Sequence, residues 1–487
     1  MTTLVWFRAD LRLADNPALS YAVEHSETVI PVFIWDAEAE RDVSQRDAVS
    51  GAHLVWLYHA LQSLDADLRQ KGSRLILRRG DMLDQLNKLV QELGANAVVW
   101  NARVVPGFRH RDQDVADALR GDGVAVHTFD GRLLHDPNQI QTGSGGPYRV
   151  FTPFWRKFCK QIEVDAPVGT PRMGTTKAPA SWPDSDDIAT WGFTAHTQDG
   201  TDWASGLREG WAMSEAGAHD RLDAFIEDAL LDYEDDRNRP DRVGSSMLSP
   251  YLHHGHLSPR QVWHRVDGWV QNGAMREAAD AYLREIVWRE FSYHVLHHYP
   301  DTPAEPLKDK YAAFPWEEDA EGLHRWQHGQ TGFPIVDAGM RQLWATGWMH
   351  NRVRMIVASF LTKDLLIPWQ DGAAWFWDTL VDADLANNTM GWQWAAGCGA
   401  DAQPFFRIFN PISQGERYDP HGAYVKQWIP ELAGLPKKYI HAPWNAPRGV
   451  LQNAGVELGV DYPLPIVDHS EARQRALDAL DAMKQAA

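Results

Sequence analysis

The stretch RLILRRGDMLDQLNKLVQELGANAVVW, residues 74–100, decides how the first part of this chain folds. It opens on an apolar, β-prone run, Arg74–Leu77, and closes on another, Ala97–Trp100. Between them Asp81–Leu93 follows the helical period, with Leu83, Leu86, Val90 and Leu93 on one side and Gly94 as the stop. Outward from this unit, similar apolar runs occur at Leu4–Phe7, Val29–Trp35 and Val124–Phe129, separated by helix-like stretches. Continuous apolar strands alternating with amphipathic helices predict a doubly wound parallel sheet over residues 1–134, covered on both faces. Neither GxGxxG nor GxxxxGK[ST] occurs there, so the two familiar nucleotide loops are not expected. The crevice outside the carboxyl ends of the strands is still a ligand site built into such a fold.

The chain has 487 residues, 44% hydrophobic and 23% charged, enough for packed cores in two or three units. No run of roughly 18 apolar residues predicts a membrane span, and Met1–Arg8 lacks the pattern of a secretory signal. Two cysteines, Cys159 and Cys398, do not support a disulfide framework or a multi-cysteine metal site, so a cytoplasmic protein is expected. Lys plus Arg is 47 against 66 Asp plus Glu, a net charge of −19 that argues against polyanion binding by the whole surface. A local basic face can still neutralise a few phosphates. Of 23 tryptophans, many fall in the second half, which implies large aromatic cores, stacking sites, or both.

Residues 135–210 read as a connection, with a loop signal at Gly143–Pro147 and enough length to carry short helices. From 211 to 487 the helical period dominates, predicting an all-α domain that closes on a helix over Ser470–Ala486, Ser470 being its N-cap. Four segments here put polar residues where a plain helical core would not. In Gly244–Leu252, Ser249 is a plausible N-cap with Pro250 in the first turn, and the hydroxyls of Ser245 and Ser246 stand just ahead. That start suits a phosphate, or is simply a capped helix. In Leu283–Phe291, Glu285, Trp288 and Arg289 share one helix face, so a solvated ion pair is the plain reading unless the Trp encloses it. In Gly347–Met355, Trp348, Asn351 and Met355 form a stripe, and an Asn inside a buried stripe needs polar partners. Arg352 and Arg354 cannot both follow it inward: one is expected to face an anion outside and the other a buried carboxylate. In Val381–Trp394, Asp382 and Asp384 sit among apolar and aromatic residues, as helix caps or as acid/base groups; too few oxygen ligands follow for a hard metal.

Taken together these segments resemble a known family. TGFPIVDAGMRQLWATGWMHNRVRMIVASFLTKDLLIPW (331–369), DADLANNTMGWQW (382–394), FRIFNPISQGE (406–416) and LVWFRADLRLADNPAL (4–19) are similar to motifs of the photolyase/cryptochrome family. Within it they look most like the class I cyclobutane pyrimidine dimer photolyases. The resemblance covers nearly the whole chain. It implies an α/β antenna domain, a long linker and a helical FAD-binding domain, and an enzyme that uses blue light and reduced FAD to split pyrimidine dimers in UV-damaged DNA. Tyr233 and the segment Ser245, Ser246, Met247, Leu248 and Ser249 would hold the FAD phosphates and ribose. Arg354 and Asp382 would pair beside the isoalloxazine, with Asp384 near and Asn388 facing N5. Glu285 would hydrogen-bond the dimer bases. Trp288, Asn351, Met355 and Trp394 would belong to the pocket for the flipped-out dimer. Asn351 and Met355 stand where the (6-4) photolyases carry histidines, which favours a cyclobutane dimer as substrate. Trp392, Trp369 and Trp316 match the family's electron relay, and Arg237, Arg289, Arg352 and Arg407 would contact the DNA backbone.

Two departures accompany the resemblance. Folate-binding members carry an acidic residue where this chain has Val104 and Val105, which leaves the identity of a second, antenna chromophore open. Tyr282 replaces a Trp one turn before Glu285. A monomer without obligate protein partner or membrane contact is implied, at the nucleoid when bound to damaged DNA. The rival reading is a cryptochrome-like blue-light receptor with FAD and no repair activity.

Overall fold

The computed structural model describes residues 1–44, 51–193 and 202–486. All five expected strands form: β1 (Thr2–Phe7), β2 (Thr28–Trp35), β3 (Ile76–Arg79), β4 (Ala97–Asn101) and β5 (Ala125–Phe129). They lie in one parallel sheet in the order β3-β2-β1-β4-β5. The order reverses direction between β1 and β4, so the crevice of a doubly wound sheet opens past Phe7 and Asn101.

The continuous apolar runs serve two cores at once. On one face Leu4, Trp6, Ile30, Val32, Ile34, Val98 and Trp100 pack with Met82, Leu86 and Leu89. On the other, Val5, Phe7, Val29, Phe33, Trp35 and Val99 join a core that runs on through Trp56 into Trp211, Tyr251 and Leu257 of the helical half. Period-2 alternation is present but invisible in sequence, because both faces are buried. The Met82–Leu93 helix starts at Asp81, whose carboxylate accepts the Asp84 N–H, and ends at Gly94 with φ 60°. Its fully buried stripe is Met82, Leu86 and Leu89, with Leu83, Val90 and Leu93 packed at the flanks.

Within 135–210 the helix Phe151–Gln161 buries Phe151, Phe154 and Phe158. The helical half is built around the 26-residue helix Gly273–His298 and the helices Asn351–Ser359, Trp369–Thr379 and Leu385–Ala396. Three helix starts differ from expectation. The last helix runs His469–Ala486, and Asp468, not Ser470, caps it, accepting the Ser470 and Glu471 N–H groups. Ser249 is the first residue of the helix Ser249–His254 rather than its cap. The helix after Trp348 begins only at Asn351, where His350 Nδ1 accepts the Arg352 N–H, so Trp348 is not on the same helical stripe as Asn351 and Met355.

Several buried or half-buried histidines are held neutral. Desolvation lowers His256 and His350 to about 4, and His53 and His294 to about 3. A histidine depressed in the folded state supports folding above its unfolded value of about 6.5 and withdraws that support as pH falls. Each such group should cost about 2 kcal/mol by about pH 5, against a total stability of about 5–15 kcal/mol. Thermal unfolding is therefore expected to move to much lower temperature between about pH 7 and pH 5; an unchanged midpoint over that interval would contradict the neutral assignment.

Candidate functional site

The helix Leu385–Ala396 is buried almost all round, and the exceptions fall on one stripe: Asn387, Asn388, Gly391 and Trp394. A Cβ added at Gly391 would meet nothing within 4 Å, so that stripe borders open space. On the neighbouring helix Asn351–Ser359, Asn351, Arg354 and Met355 likewise remain accessible. The two are tied by Arg354 Nη2, which donates to Asp382 Oδ2 at 2.8 Å while Arg354 Nε donates to Met349 O at 2.8 Å. Asp382 Oδ1 is buried without a partner, as expected of a group awaiting a donor from outside the chain. Asn388 donates one amide N–H to Ala373 O at 3.0 Å, which fixes the side chain and leaves its carbonyl oxygen and second N–H to offer.

The segment before Ser249 is held from three sides. Met247 takes φ 53°, a conformation that side chains other than glycine rarely adopt. Tyr282 OH donates to Ser246 Oγ at 3.0 Å, and Trp348 Nε1 donates to Ser249 Oγ at 3.3 Å. Leu248 provides no side-chain cap, so the first N–H groups of the helix have no partner from that residue. Tyr233 packs edge-on against Tyr282 at 5.2 Å. The Tyr282 replacement thus adds a hydroxyl anchor to the segment, which an indole in its place would reach differently.

Asp384 caps the Leu385–Ala396 helix: its Oδ1 accepts from Asn387 N at 3.0 Å and Asn387 Nδ2 at 2.7 Å, and Oδ2 accepts from Tyr293 OH. Burial alone would raise its pKa. His253, Arg289 and the Tyr293 hydroxyl outweigh that and hold it well below the usual carboxylate range. It is therefore a fixed anion and not a proton donor.

Glu285 forms an ion pair with Arg237, Oε1 to Nη1 2.8 Å, each side chain about a quarter exposed. Its helical neighbour Arg289 takes no part. Arg289 was expected at the DNA backbone, but it is buried, donating to Arg132 O at 2.9 Å and Glu290 Oε1 at 3.3 Å; it locks two segments together and does not reach the surface. Trp288 stacks on Phe151 with ring centroids 3.6 Å apart. That contact encloses the face that sequence could only leave open. Arg352 is fixed by Asn238 Oδ1, at 2.6 and 3.2 Å, and lies 4.5 Å over the Tyr418 ring. Arg407 is exposed beside exposed Phe406, on a loop held by Lys363 Nζ and Gln403 Nε2 donating to Arg407 O at 3.1 and 2.6 Å. Burial lowers the Lys363 ammonium to about 7.

Trp392 and Trp369 are both buried, and Trp316 is partly buried against Phe314 at 4.4 Å. Trp392 packs edge-on against Phe376 at 5.0 Å and Trp326 at 6.0 Å. It presses so closely on Gly372 that a Cβ there would lie 2.1 Å from its ring.

A second cavity lies at the carboxyl edge of the sheet, where the strand order reverses. It is lined by Trp6, Arg8, Trp35, Arg103, Val104 and Val105 from the α/β half. Arg132, His253, Tyr293 and Asp384 line its other wall. Asp384 therefore separates this cleft from the open stripe of the helix it caps. Arg103 lies 3.4 Å over the Phe108 ring, and its Nε, like Arg8 Nε, is buried without a partner. Sequence reasoning missed Phe151, Arg132, Tyr293, Asn238 and the histidines His53 and His253. Their partners are about ninety residues away or more, and no local pattern marks them.

These two sites fit the comparisons with known proteins. The family model "DNA photolyase" matches residues 3–172, and "FAD binding domain of DNA photolyase" matches residues 282–482. A deoxyribodipyrimidine photo-lyase of Agrobacterium fabrum is 49% identical over 99% of this chain and 98% of its own. Cryptochrome-1 of Arabidopsis thaliana is 38% identical over 99% of this chain and 70% of its own. The crystal structure of a class III photolyase from Agrobacterium tumefaciens superposes with a TM-score of 0.93 at 48% identity, covering 99% of this chain and 98% of that one. The chain belongs to the photolyase/cryptochrome family. Its helical half is an FAD-binding domain, and the unpartnered Asp382 oxygen, the open stripe at Gly391 and the uncapped start at Ser249 fit that cofactor. No helix among the described residues is long and apolar enough to cross a membrane.

Proposed function

We propose that this protein repairs cyclobutane pyrimidine dimers in DNA under blue light. The observation that carries the reading is the accessible stripe of Asn388, Gly391 and Trp394 on a helix otherwise buried, next to the Arg354–Asp382 pair. The stripe and the Arg354–Asp382 pair would hold reduced FAD, which would supply the light-driven one-electron chemistry that opens the cyclobutane ring. The chain's own residues position and insulate. Arg354 and Asp382 would hold the isoalloxazine, and Tyr233 and residues 245–249 the phosphates and ribose. Asn388 would offer a neutral amide, which brings neither a carboxyl proton nor a charge. Asp384 stays ionised and cannot protonate the flavin.

On the substrate side Trp288, Asn351, Met355 and Trp394 receive the flipped dimer, whose weak stacking makes extrusion cheaper; photolyases are themselves a stock example of this. Arg237 holds Glu285 until DNA arrives. A phosphate then competes for Arg237, and Glu285 is released to hydrogen-bond the dimer bases and steady the added charge. Arg352 and Arg407 complete the positive face, which the net −19 conceals. Trp392, Trp369 and Trp316 would carry electrons inward to the flavin site. The cleft at the sheet edge takes the antenna chromophore, with Val104 and Val105 in its wall.

The test is a thymine-dimer oligonucleotide with the reduced holoprotein, followed near about 260 nm under blue light and in the dark. Light-dependent recovery of absorbance is expected, and Glu285→Ala should slow it by on the order of 10²-fold while dark binding persists. No recovery from protein shown to hold reduced FAD would favour the receptor reading.

A further inference from the structure

Three histidines to which the repair reading gives no contact with flavin or dimer meet across the seam between the two halves. His53 stands near the start of the helix Gly51–Gln70, and His253 and His254 end the helix Ser249–His254. One ring nitrogen of each lies within 4.8 Å of the others. His53 Nδ1 and His253 Nε2 are 3.2 Å apart. Two imidazole nitrogens on one tetrahedral zinc, with bonds of about 2.0–2.1 Å, stand about 3.3 Å apart, so this pair already has the required spacing.

Metal-bound histidines give their second N–H to a carbonyl or carboxylate, and His254 is already placed so. His254 Nε2 is 3.1 Å from Val381 O. His253 Nδ1 is buried with no hydrogen bond and faces Asp384 Oδ2 at 3.8 Å. Trp56 stacks on His254 at 5.2 Å and 11°, fixing its plane. All three histidines line the cleft at the sheet edge, which provides an entry path and room for water as a fourth ligand. Arg132 donates to His253 O, opposing a cation from behind, and the Asp384 carboxylate offsets it.

The geometry points to a binding site for one zinc-class transition-metal ion on His53, His253 and His254, which staples the α/β half to the helical half at the floor of the cleft. Three imidazoles select zinc, cobalt or nickel over magnesium or calcium.

The test uses the tag-free, chelator-washed, FAD-loaded full chain. Titration with zinc should give a saturable isotherm of one equivalent and a higher melting temperature, with no effect of magnesium. Cobalt in place of zinc should give the intense visible bands of a tetrahedral site. His53→Phe and His254→Phe, each keeping its flavin absorbance, should lose both the isotherm and the bands. Absence of a saturable equivalent in the wild type, weak octahedral cobalt bands, or undiminished binding in both variants would overturn the assignment. None of these readouts needs light or DNA, so failure here and failure of the repair reading are separate results.

Discussion

Arg354→Met protein should leave purification nearly colourless. The Asp382 side chain is 3% exposed; one of its oxygens is held by Arg354 and the other has no partner. Removing the guanidinium leaves a buried carboxylate uncompensated, which costs about 3–5 kcal/mol. FAD binds against this pair, so its affinity should fall by on the order of 10²–10³-fold or more. The ratio of flavin to protein absorbance reads the loss directly. Arg354→Met/Asp382→Asn should recover folding stability, since no lone charge remains, without recovering the flavin. Full flavin occupancy in Arg354→Met would contradict the placement of the cofactor.

The second large effect is expected from Gly255→Ala. Gly255 has φ 75°, and a Cβ there would lie 2.2 Å from Ala9 O and 2.6 Å from Asp10 Cα. Those neighbours are backbone and cannot swing aside. The same seam is sewn by Leu11 N–H donating to His254 O at 3.2 Å, Arg12 Nη1 donating to Gly255 O at 2.9 Å, and His256 Nδ1 donating to Leu11 O at 3.0 Å. The left-handed conformation alone costs a residue with a side chain about 1–2 kcal/mol. The overlap adds the separation of the seam. The variant should melt many degrees lower and be cleaved rapidly by protease near the junction, whereas Gly391→Ala, with open space at its Cβ, should fold normally.

Much of the first half was legible because a parallel strand buried on both faces is an uninterrupted apolar run, and five such runs alternate with amphipathic helices. Sequence could not tell which residue of each run faces which core, since Val5 and Trp6 look alike until their neighbours are known. Helix starts were less legible where two cap formers stand close together. Asp468 and Ser470 are both good N-caps, and the chain uses the first. His350 as a cap follows no strong preference, so the helix was read as reaching back through Trp348. At the site, Arg354 and Asp382 could be placed together only by resemblance, yet the expectation that one arginine of 352 and 354 meets a buried carboxylate came from the residues. Arg289 misled for the opposite reason. Its spacing from Glu285 fits a surface pair, while its actual partner, Arg132 O, is 157 residues away.

The core that passes without a break from Val5 and Phe7 through Trp56 to Trp211 and Tyr251 also bears on inheritance. A chain cut at its linker would expose that apolar wall on both pieces, so neither half is a free-standing module. Swapping the light-gathering half of one family member onto the catalytic half of another would fail unless the wall travelled with it. A substitution on one side of the seam therefore calls for a matching change on the other, even though the secondary structure suggests two separable halves.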